Sequence, residues 1–358
     1  MTIVQFLLLP FSGIYGVGAQ LRIGLFRSGL LRRVRPKSPS IGIGNLRAGG
    51  TGKTPFADYL LNCFSDLPTV YIARGYKRKS KGLVTGWDAR HWQDLGDEPW
   101  LIARKHPKTM VLLCNQRLKA LRHFEKNFPG NALLIFDDVF QHRSIRPGLN
   151  IVLTEFHKPF FADYPLPAGR LREFRKNARE CDLLLVTKSP AILSPIERRH
   201  FIARAKKFGV REIIFSYLVY RGLIPLYEYL KNPGSVEKLK ALPNKDCDTV
   251  IGFCGIGNPE PFQDFLRENS VKQAFFSFAD HHDYTEAELM PIYEQYTSAA
   301  KAKPIIITTE KDALKLGFVQ DHPQLKNLPM FVLPVEFRLH DEDASTFQQL
   351  VNRYVRSN

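Results

Sequence analysis

The chain has 358 residues, 44% of them hydrophobic and 24% charged, with a formal net charge of +16. That length and balance exclude general disorder and predict a globular body large enough for two domains, while the positive charge predicts a polyanionic partner: nucleic acid, an anionic membrane surface or a phosphorylated substrate. The five cysteines (Cys63, Cys114, Cys181, Cys247, Cys254) are scattered with no Cys-x-x-Cys pair, which argues against a disulfide framework or a zinc site and for a reducing compartment.

At the amino end, Ile3 to Leu9 is apolar, Pro10 interrupts the run, and Phe11 to Leu31 continues it with Arg22 and Arg27 inside before closing on Arg32, Arg33 and Arg35. No uncharged run reaches the roughly 18 to 20 residues that span a bilayer. A signal peptide fits poorly, because the basic residues follow the apolar ones and no small-residue cleavage pattern comes after. Ile14, Val17, Leu21 and Leu25 share one helical face with Arg22 and Arg27 off it, so residues 1–36 are predicted to form a membrane-interface helix, the alternative being a core-packing helix with a solvated basic end.

Next comes Ile41-Gly42-Ile43-Gly44, then Asn45-Leu46-Arg47-Ala48-Gly49-Gly50-Thr51-Gly52-Lys53-Thr54-Pro55. This reads as a short apolar strand, a glycine-rich turn and a helix start, the pattern of a phosphate-binding loop. Amides at Gly49, Gly50, Thr51 and Gly52 would close round phosphate oxygens, Lys53 would reach the outer phosphates, and the Thr54 hydroxyl would ligate Mg²⁺. The usual Gly-x-x-x-x-Gly-Lys-[Ser/Thr] pattern wants glycine where Arg47 stands. The signature lysine of partitioning and metal-delivery NTPases would fall at Ala48, so the loop points to a nucleoside triphosphate without naming the reaction.

Strand-like runs follow at Val70–Ala73, Met110–Cys114, Leu133–Asp137, Ile151–Thr154, Leu183–Thr187 and Ile213–Val219, with helical patterns between several of them. The alternation predicts an α/β fold of P-loop NTPase type over 37–230, a mostly parallel sheet with helices on both faces. A polar stretch at 231–248 reads as a connector. Runs at Thr249–Cys254, Ala274–Phe278, Pro304–Thr309 and Met330–Pro334 then predict a smaller C-terminal α/β unit over 249–358.

Within the first unit, Leu133-Leu134-Ile135-Phe136-Asp137-Asp138 places two carboxylates at the C-terminal end of a buried strand, where open α/β sheets bind ligands and where one or both could serve Mg²⁺. Leu183-Leu184-Leu185-Val186-Thr187-Lys188-Ser189-Pro190 is the nearest counterpart of the guanine-reading Asn-Lys-x-Asp. Proline replaces the aspartate there, so ATP is preferred over GTP, and Lys188 reads equally as a plain strand end or an adenine contact. An acceptor hydroxyl needs a base. Asp97, in Gly96-Asp97-Glu98-Pro99, reads as a helix cap or a base, and His281, in Asp280-His281-His282, as a structural residue or its partner.

Taken in order, Gly44-Asn45, the Gly-Gly-Thr-Gly-Lys-Thr-Pro loop, Arg74-Gly75-Tyr76, Gly96-Asp97-Glu98-Pro99, Asp137-Asp138-Val139-Phe140-Gln141-His142, Pro167-Ala168-Gly169-Arg170-Leu171-Arg172-Glu173, Gly255-Ile256-Gly257-Asn258-Pro259, Asp280-His281-His282 and Thr309-Glu310-Lys311-Asp312 resemble the tetraacyldisaccharide 4′-kinase family of lipid A biosynthesis. Val139 stands where that family has glycine, and Lys77 follows the Arg-Gly-Tyr motif in place of another. The resemblance implies transfer of the γ-phosphate of ATP, with Mg²⁺, to the 4′-hydroxyl of a tetraacyldisaccharide 1-phosphate on the cytoplasmic face of a Gram-negative inner membrane, the enzyme being peripheral or monotopic. It implies that Asp97 and His281 form the catalytic pair with Lys53, that Asp137, Asp138 and Glu173 join Thr54 near the metal, and that Arg74, Gln141, His142 and Arg172 shape the substrate site. Two rivals are a partitioning or metal-delivery switch NTPase and a nucleic-acid-binding ATPase. The densest basic cluster adjoins the apolar N-terminus rather than interleaving with aromatics, which favours an anionic membrane and a lipid substrate over nucleic acid.

Overall fold

Apolar runs of four to nine residues between turn signals become strands, and the chain forms a computed structural model that describes residues 3–128, 130–234, 241 and 249–357. The first part contains α1 (Ile3–Arg27), β1 (Ser40–Asn45), α2 (Lys53–Cys63), β2 (Thr69–Ala73), β3 (Val84–Thr85), α3 (Trp92–Leu95) and α4 (Asp97–Lys105). Then come β4 (Met110–Leu113), α5 (Arg117–Asn127), β5 (Leu133–Phe136), β6 (Leu149–Glu155), β7 (Leu183–Thr187), α6 (Pro195–Lys206) and β8 (Glu212–Tyr220). These strands, with one added from the far end of the chain, make a nine-stranded sheet.

β1 lies inside this sheet, parallel to β5 and β6 on its two sides and with every residue buried. Burial on both faces is why its residues are continuously apolar or small instead of alternating. Gly42 and Gly44 are required by close approach: a Cβ on Gly44 would sit 2.4 Å from the Phe140 side chain. On one face, Ile41, Ile43 and Ile135 pack with Phe56, Leu60 and Phe64 of α2 and its end. On the other, Val70, Leu112 and Phe136 meet Leu121 and Phe124 of α5.

A second, five-stranded sheet follows from β9 (Ile224–Pro225), β10 (Thr249–Cys254), β11 (Lys272–Ser277), β12 (Ile305–Thr309) and β13 (Met330–Leu333), with α7 (Leu226–Lys231), α8 (Glu260–Glu268), α9 (Glu286–Ser298) and α10 (Glu310–Ala313) around it. α4 joins the two bodies, because Ile102 is buried in the first core and Leu101 in the second.

The chain does not divide where its composition suggests. β9 and α7, inside 37–230, belong to the second sheet, where Ile224 pairs with Val332. β14 (Val335–Leu339) leaves that sheet after Pro334 and pairs antiparallel with β8, Val335 opposite Tyr220 and Leu339 opposite Ser216. Pro334 has no N–H to continue a ladder, and Phe337 reaches the Phe56 ring at 5.3 Å between centroids. α11 (Asp341–Phe347), a π-helical turn at Gln348–Asn352 and α12 (Arg353–Ser357) follow it onto the first core, burying Phe347, Val351 and Val355. The connector expected at 231–248 lies outside the described residues except for 231–234 and 241.

α1 is the helix expected at the amino end, closing at Arg27 rather than running over the whole of 1–36. Pro10 sits inside one continuous 25-residue helix, because a proline removes a single i→i−4 bond and the turns on either side remain paired. By length and composition the helix is long and apolar enough to cross a membrane, and only 11% of its most apolar window is buried in the protein. Phe6, Leu7, Phe11, Ile14, Val17 and Leu21 are exposed. The opposite side is pinned: Ser12 Oγ accepts from Ala168 N at 2.9 Å, Tyr15 donates to the Arg172 carbonyl at 3.3 Å, and Arg27 pairs with Glu180.

Candidate active site

The turn after β1 takes its shape from glycine. Gly49 and Gly52 have φ of 121° and 83°, left-handed values that cost a side-chain-bearing residue strain. Asn45, at the end of β1, donates Nδ2 to Thr51 Oγ1 at 2.9 Å. Thr187 Oγ1 donates to the Thr51 carbonyl at 2.9 Å, and Lys188 Nζ donates to the Gly50 carbonyl at 2.7 Å while pairing with Glu155. Lys188 is therefore a brace of the loop rather than a plain strand end. Arg47, in the place of the usual glycine, turns away to Asp163 at 2.7 Å and Glu155 at 3.4 Å. The loop leads straight into α2, whose first N–H groups have no partner within the helix and present positive partial charge to the cleft.

Opposite stand the two carboxylates after β5. Asp138 adopts φ 47°, and Arg117 holds the turn by donating Nε to the Asp137 carbonyl and Nη2 to the Asp138 carbonyl, each at 3.1 Å. Lys53 Nζ lies 3.6 Å from Asp138 Oδ1, and Arg172 Nη1 lies 2.8 Å from both its oxygens. Burial works against the Asp138 charge, but Lys53 and Arg172 outweigh it and hold the carboxyl below its ordinary range. Asp137 differs: burial pushes it up to about 6, the Lys53 charge only partly offsetting that. A carboxylate so placed is suited to a cation. Among the described residues no three or more His, Cys, Asp or Glu side chains cluster as a protein-only metal cage. That donor set fits Mg²⁺, which is commonly held by one or two carboxylates, water and substrate phosphate.

Gln141 donates to the Asn45 carbonyl at 2.8 Å and accepts from Arg172 at 3.3 Å, linking the acidic turn to the loop. His142 is pushed down to about 4 by burial and by the nearby charges of Arg117, Arg22 and Arg74, so it is neutral at physiological pH. Glu173 is buried, its Oε2 accepting from Arg143 at 2.6 Å and Asn177 at 3.1 Å.

Asp97 and His281 lie 184 positions apart, and the fold brings Oδ2 of one to 2.7 Å from Nδ1 of the other. Gly96 makes this possible: it ends α3 and starts α4 at φ 85°, and a Cβ there would meet the Tyr76 carbonyl at 2.7 Å. His281 has φ 64°, and its ring faces Tyr76 with centroids 5.6 Å apart. Burial disfavours the Asp97 charge, but His281, Lys311 and Lys315 outweigh it and hold the carboxyl well below the usual range.

One cleft of about 1870 Å³ is lined by all of these groups: Gly49 through Thr54, Arg74, Asp97, Asp137, Asp138, Gln141, His142, Arg172, Glu173 and His281. Ile14, Tyr15 and Arg22 of α1 form part of its wall. Sequence reasoning missed Arg117, Arg143 and Lys311, and left Lys188 undecided. Only Lys311 carried a signal, its place in Thr309-Glu310-Lys311-Asp312.

A glycine loop and an acidic turn at the carboxyl ends of a mostly parallel sheet, facing a hydrogen-bonded Asp–His pair across one cleft, fit an α/β kinase. The comparisons with known proteins specify which. The profile of the family described as Tetraacyldisaccharide-1-P 4'-kinase matches residues 4–355, and the chain belongs to that family. It is similar to the tetraacyldisaccharide 4'-kinases of Phocaeicola vulgatus (32% identical over 357 residues, 98% of this chain and 95% of that one) and Bacteroides thetaiotaomicron (33% over 360 residues, 98% and 93%). Its fold is similar to that of LpxK from Aquifex aeolicus, solved in complex with ATP, with a TM-score of 0.73 at 28% identity over 99% of this chain and 100% of that one.

Proposed function

We propose that this kinase transfers the γ-phosphate of ATP to the 4′-hydroxyl of a tetraacyldisaccharide 1-phosphate, giving the 1,4′-bisphosphate and ADP, at the cytoplasmic face of a bacterial inner membrane. The observation that carries the reading is the Asp97–His281 contact of 2.7 Å in the cleft that also holds the glycine loop. A hydrolytic switch has no need of a dyad poised for an alcohol; a kinase does.

Lys53 and the amides of Gly49, Gly50, Thr51 and Gly52 cradle the β- and γ-phosphates and offset their developing charge. Thr54, Asp137 and Asp138 would hold Mg²⁺, with Glu173 of the same cleft as a further candidate donor, and the ion would neutralise phosphate charge. Arg172 links Asp138 to Gln141, and with Arg74 and His142 it frames the acceptor. The 4′-oxygen attacks the γ-phosphorus, the bond to the ADP oxygen breaks, and the hydroxyl proton passes to the Asp97–His281 pair. α1 keeps the enzyme on the membrane, its exposed apolar side in the leaflet and Tyr15 and Arg22 beside the cleft.

Labelled ATP with a lipid A disaccharide 1-phosphate in detergent tests this directly. Label is expected in the lipid with wild-type protein and not with Lys53→Ala. Hydrolysis without transfer under varied detergents would remove the kinase assignment and favour a switch NTPase.

A further inference from the structure

The segment Thr309-Glu310-Lys311-Asp312 is built as a strap between the two sheets. Thr309 caps α10, bonding the Asp312 amide at 3.3 Å and its carboxylate at 2.7 Å, and Asp312 Oδ2 accepts from Gly255 N at 3.0 Å. Gly255 in turn accepts from the backbone N–H of His281 at 3.2 Å. Glu310 takes Lys105 Nζ at 3.1 Å, the Tyr229 hydroxyl at 3.1 Å and Val335 N at 3.2 Å. The strap is thereby fixed to the end of α4 on one side and to the His281 turn on the other.

Two lysines one helical turn apart project from it onto a single oxygen. Lys311 Nζ is 3.4 Å and Lys315 Nζ 3.6 Å from Asp97 Oδ2, the oxygen that already meets His281 Nδ1. Asp97 Oδ1 accepts from Glu98 N at 2.9 Å. The Lys315 side chain is 0% exposed, and its other neighbours are the His282 carbonyl at 2.9 Å and the Trp92 ring at 5.2 Å. A buried ammonium needs a fixed negative partner, and Asp97 is the carboxylate this one has. Protonating Asp97 would leave Lys315 without a carboxylate and Lys311 with Glu98 alone, at 3.4 Å.

We propose that Lys311, backed by Lys315, is a positioning residue of the proton-transfer pair: the two ammonium groups hold Asp97 Oδ2 in the orientation that meets His281 Nδ1. The inference rests on the dyad reading above. It is consistent with Asp97 being held well below the ordinary carboxylate range by His281, Lys311 and Lys315 against the opposing effect of burial. The other charges that face the pair are Asp280, whose Oδ2 is 3.6 Å from His281 Nε2, and Glu98, which shares Lys311 at 3.4 Å. Lys77 donates to the Asp280 carbonyl at 3.4 Å, and His282 is held by Glu288 at 3.1 Å.

Lys311→Gln is expected to lower kcat by about tenfold or more while the KM values for ATP and lipid stay within about twofold, and Lys311→Arg to restore the rate. Lys311→Gln with wild-type turnover overturns the proposal. So does a raised lipid KM with unchanged kcat, which would make Lys311 a substrate contact. Should the Gln variant melt early, Lys311→Arg decides, since a rate still about tenfold down in a variant that keeps the cation also overturns it. His281→Ala, run in parallel, separates the two readings: wild-type turnover there sinks the dyad itself, whereas its loss beside an unaffected Lys311→Gln sinks only the lysine's part.

Discussion

Replacing Lys188 with methionine tests whether the glycine loop is held in shape from outside. The ammonium donates to the Gly50 carbonyl at 2.7 Å and pairs with Glu155, while the side chain is 29% exposed. Methionine keeps the length of the stem, and Glu155 retains Arg47 at 3.4 Å, so the change removes a brace without orphaning a carboxylate. A charge-assisted hydrogen bond contributes about 1.5–3 kcal/mol net, and partial exposure brings the expected loss down to about 1–2 kcal/mol. At 1.4 kcal/mol per factor of ten, the ATP KM should rise about 5- to 30-fold. Turnover at saturating ATP should change much less, because Lys53 and the Asp97–His281 pair are untouched. Steady-state rates with ATP varied against saturating acceptor in mixed micelles read both quantities. An ATP KM within about twofold of wild type would refute the brace, since about twofold is under 0.5 kcal/mol.

Two further outcomes follow from other parts of the molecule. Phe11 and Leu21 are 60% and 67% exposed on α1, and each buries about 1.5–3 kcal/mol of apolar surface when it enters a lipid interface. The double change to glutamate should lower partition onto anionic vesicles by about a hundredfold or more while ATP still binds; unaltered vesicle flotation would exclude the helix as the membrane contact. Asp58 joins α2 to α4 through His106 at 2.6 Å and Lys105 at 2.7 Å. Burial opposes its charge, but His106 and Lys105 outweigh that and lower its pKa from the ordinary 3.8. A depressed carboxyl stabilises the fold above its unfolded pKa and loses that stabilisation as pH falls through its folded one. Asp58→Asn should therefore be less stable near neutrality yet show a flatter stability profile below about pH 4; parallel wild-type and variant denaturant curves down to pH 3 would contradict it.

Much of the fold was legible because the information is local. The run at 41–44 becomes β1 and Leu183–Thr187 becomes β7 with little change of boundary, since buried parallel strands are continuously apolar. What was hidden depends on long-range docking. Nothing in Val335–Leu339 states that it should leave β13's sheet for β8; that follows from Phe337 finding Phe56. Asp97 reads alone as a helix cap and His281 as a structural histidine, and only the closure of two sheets round α4 makes them partners. Lys188 and Arg117 act through backbone carbonyls, a role that leaves no residue-type signature. Pro10 interrupts the apolar run but not the helix, because one missing hydrogen bond is tolerated within a helix of 25 residues.

α1 carries one more consequence. Its inner side is fastened to the Arg172 segment and to Glu180, and Glu180 shares Arg143 with Glu173. With α1 in the leaflet as proposed, the enzyme would meet an acyl-chain-bearing acceptor by lateral diffusion, and its rate would follow the mole fraction of acceptor in the surface rather than the bulk concentration. Diluting that surface with inert lipid would then slow the reaction although nothing in the cleft had changed.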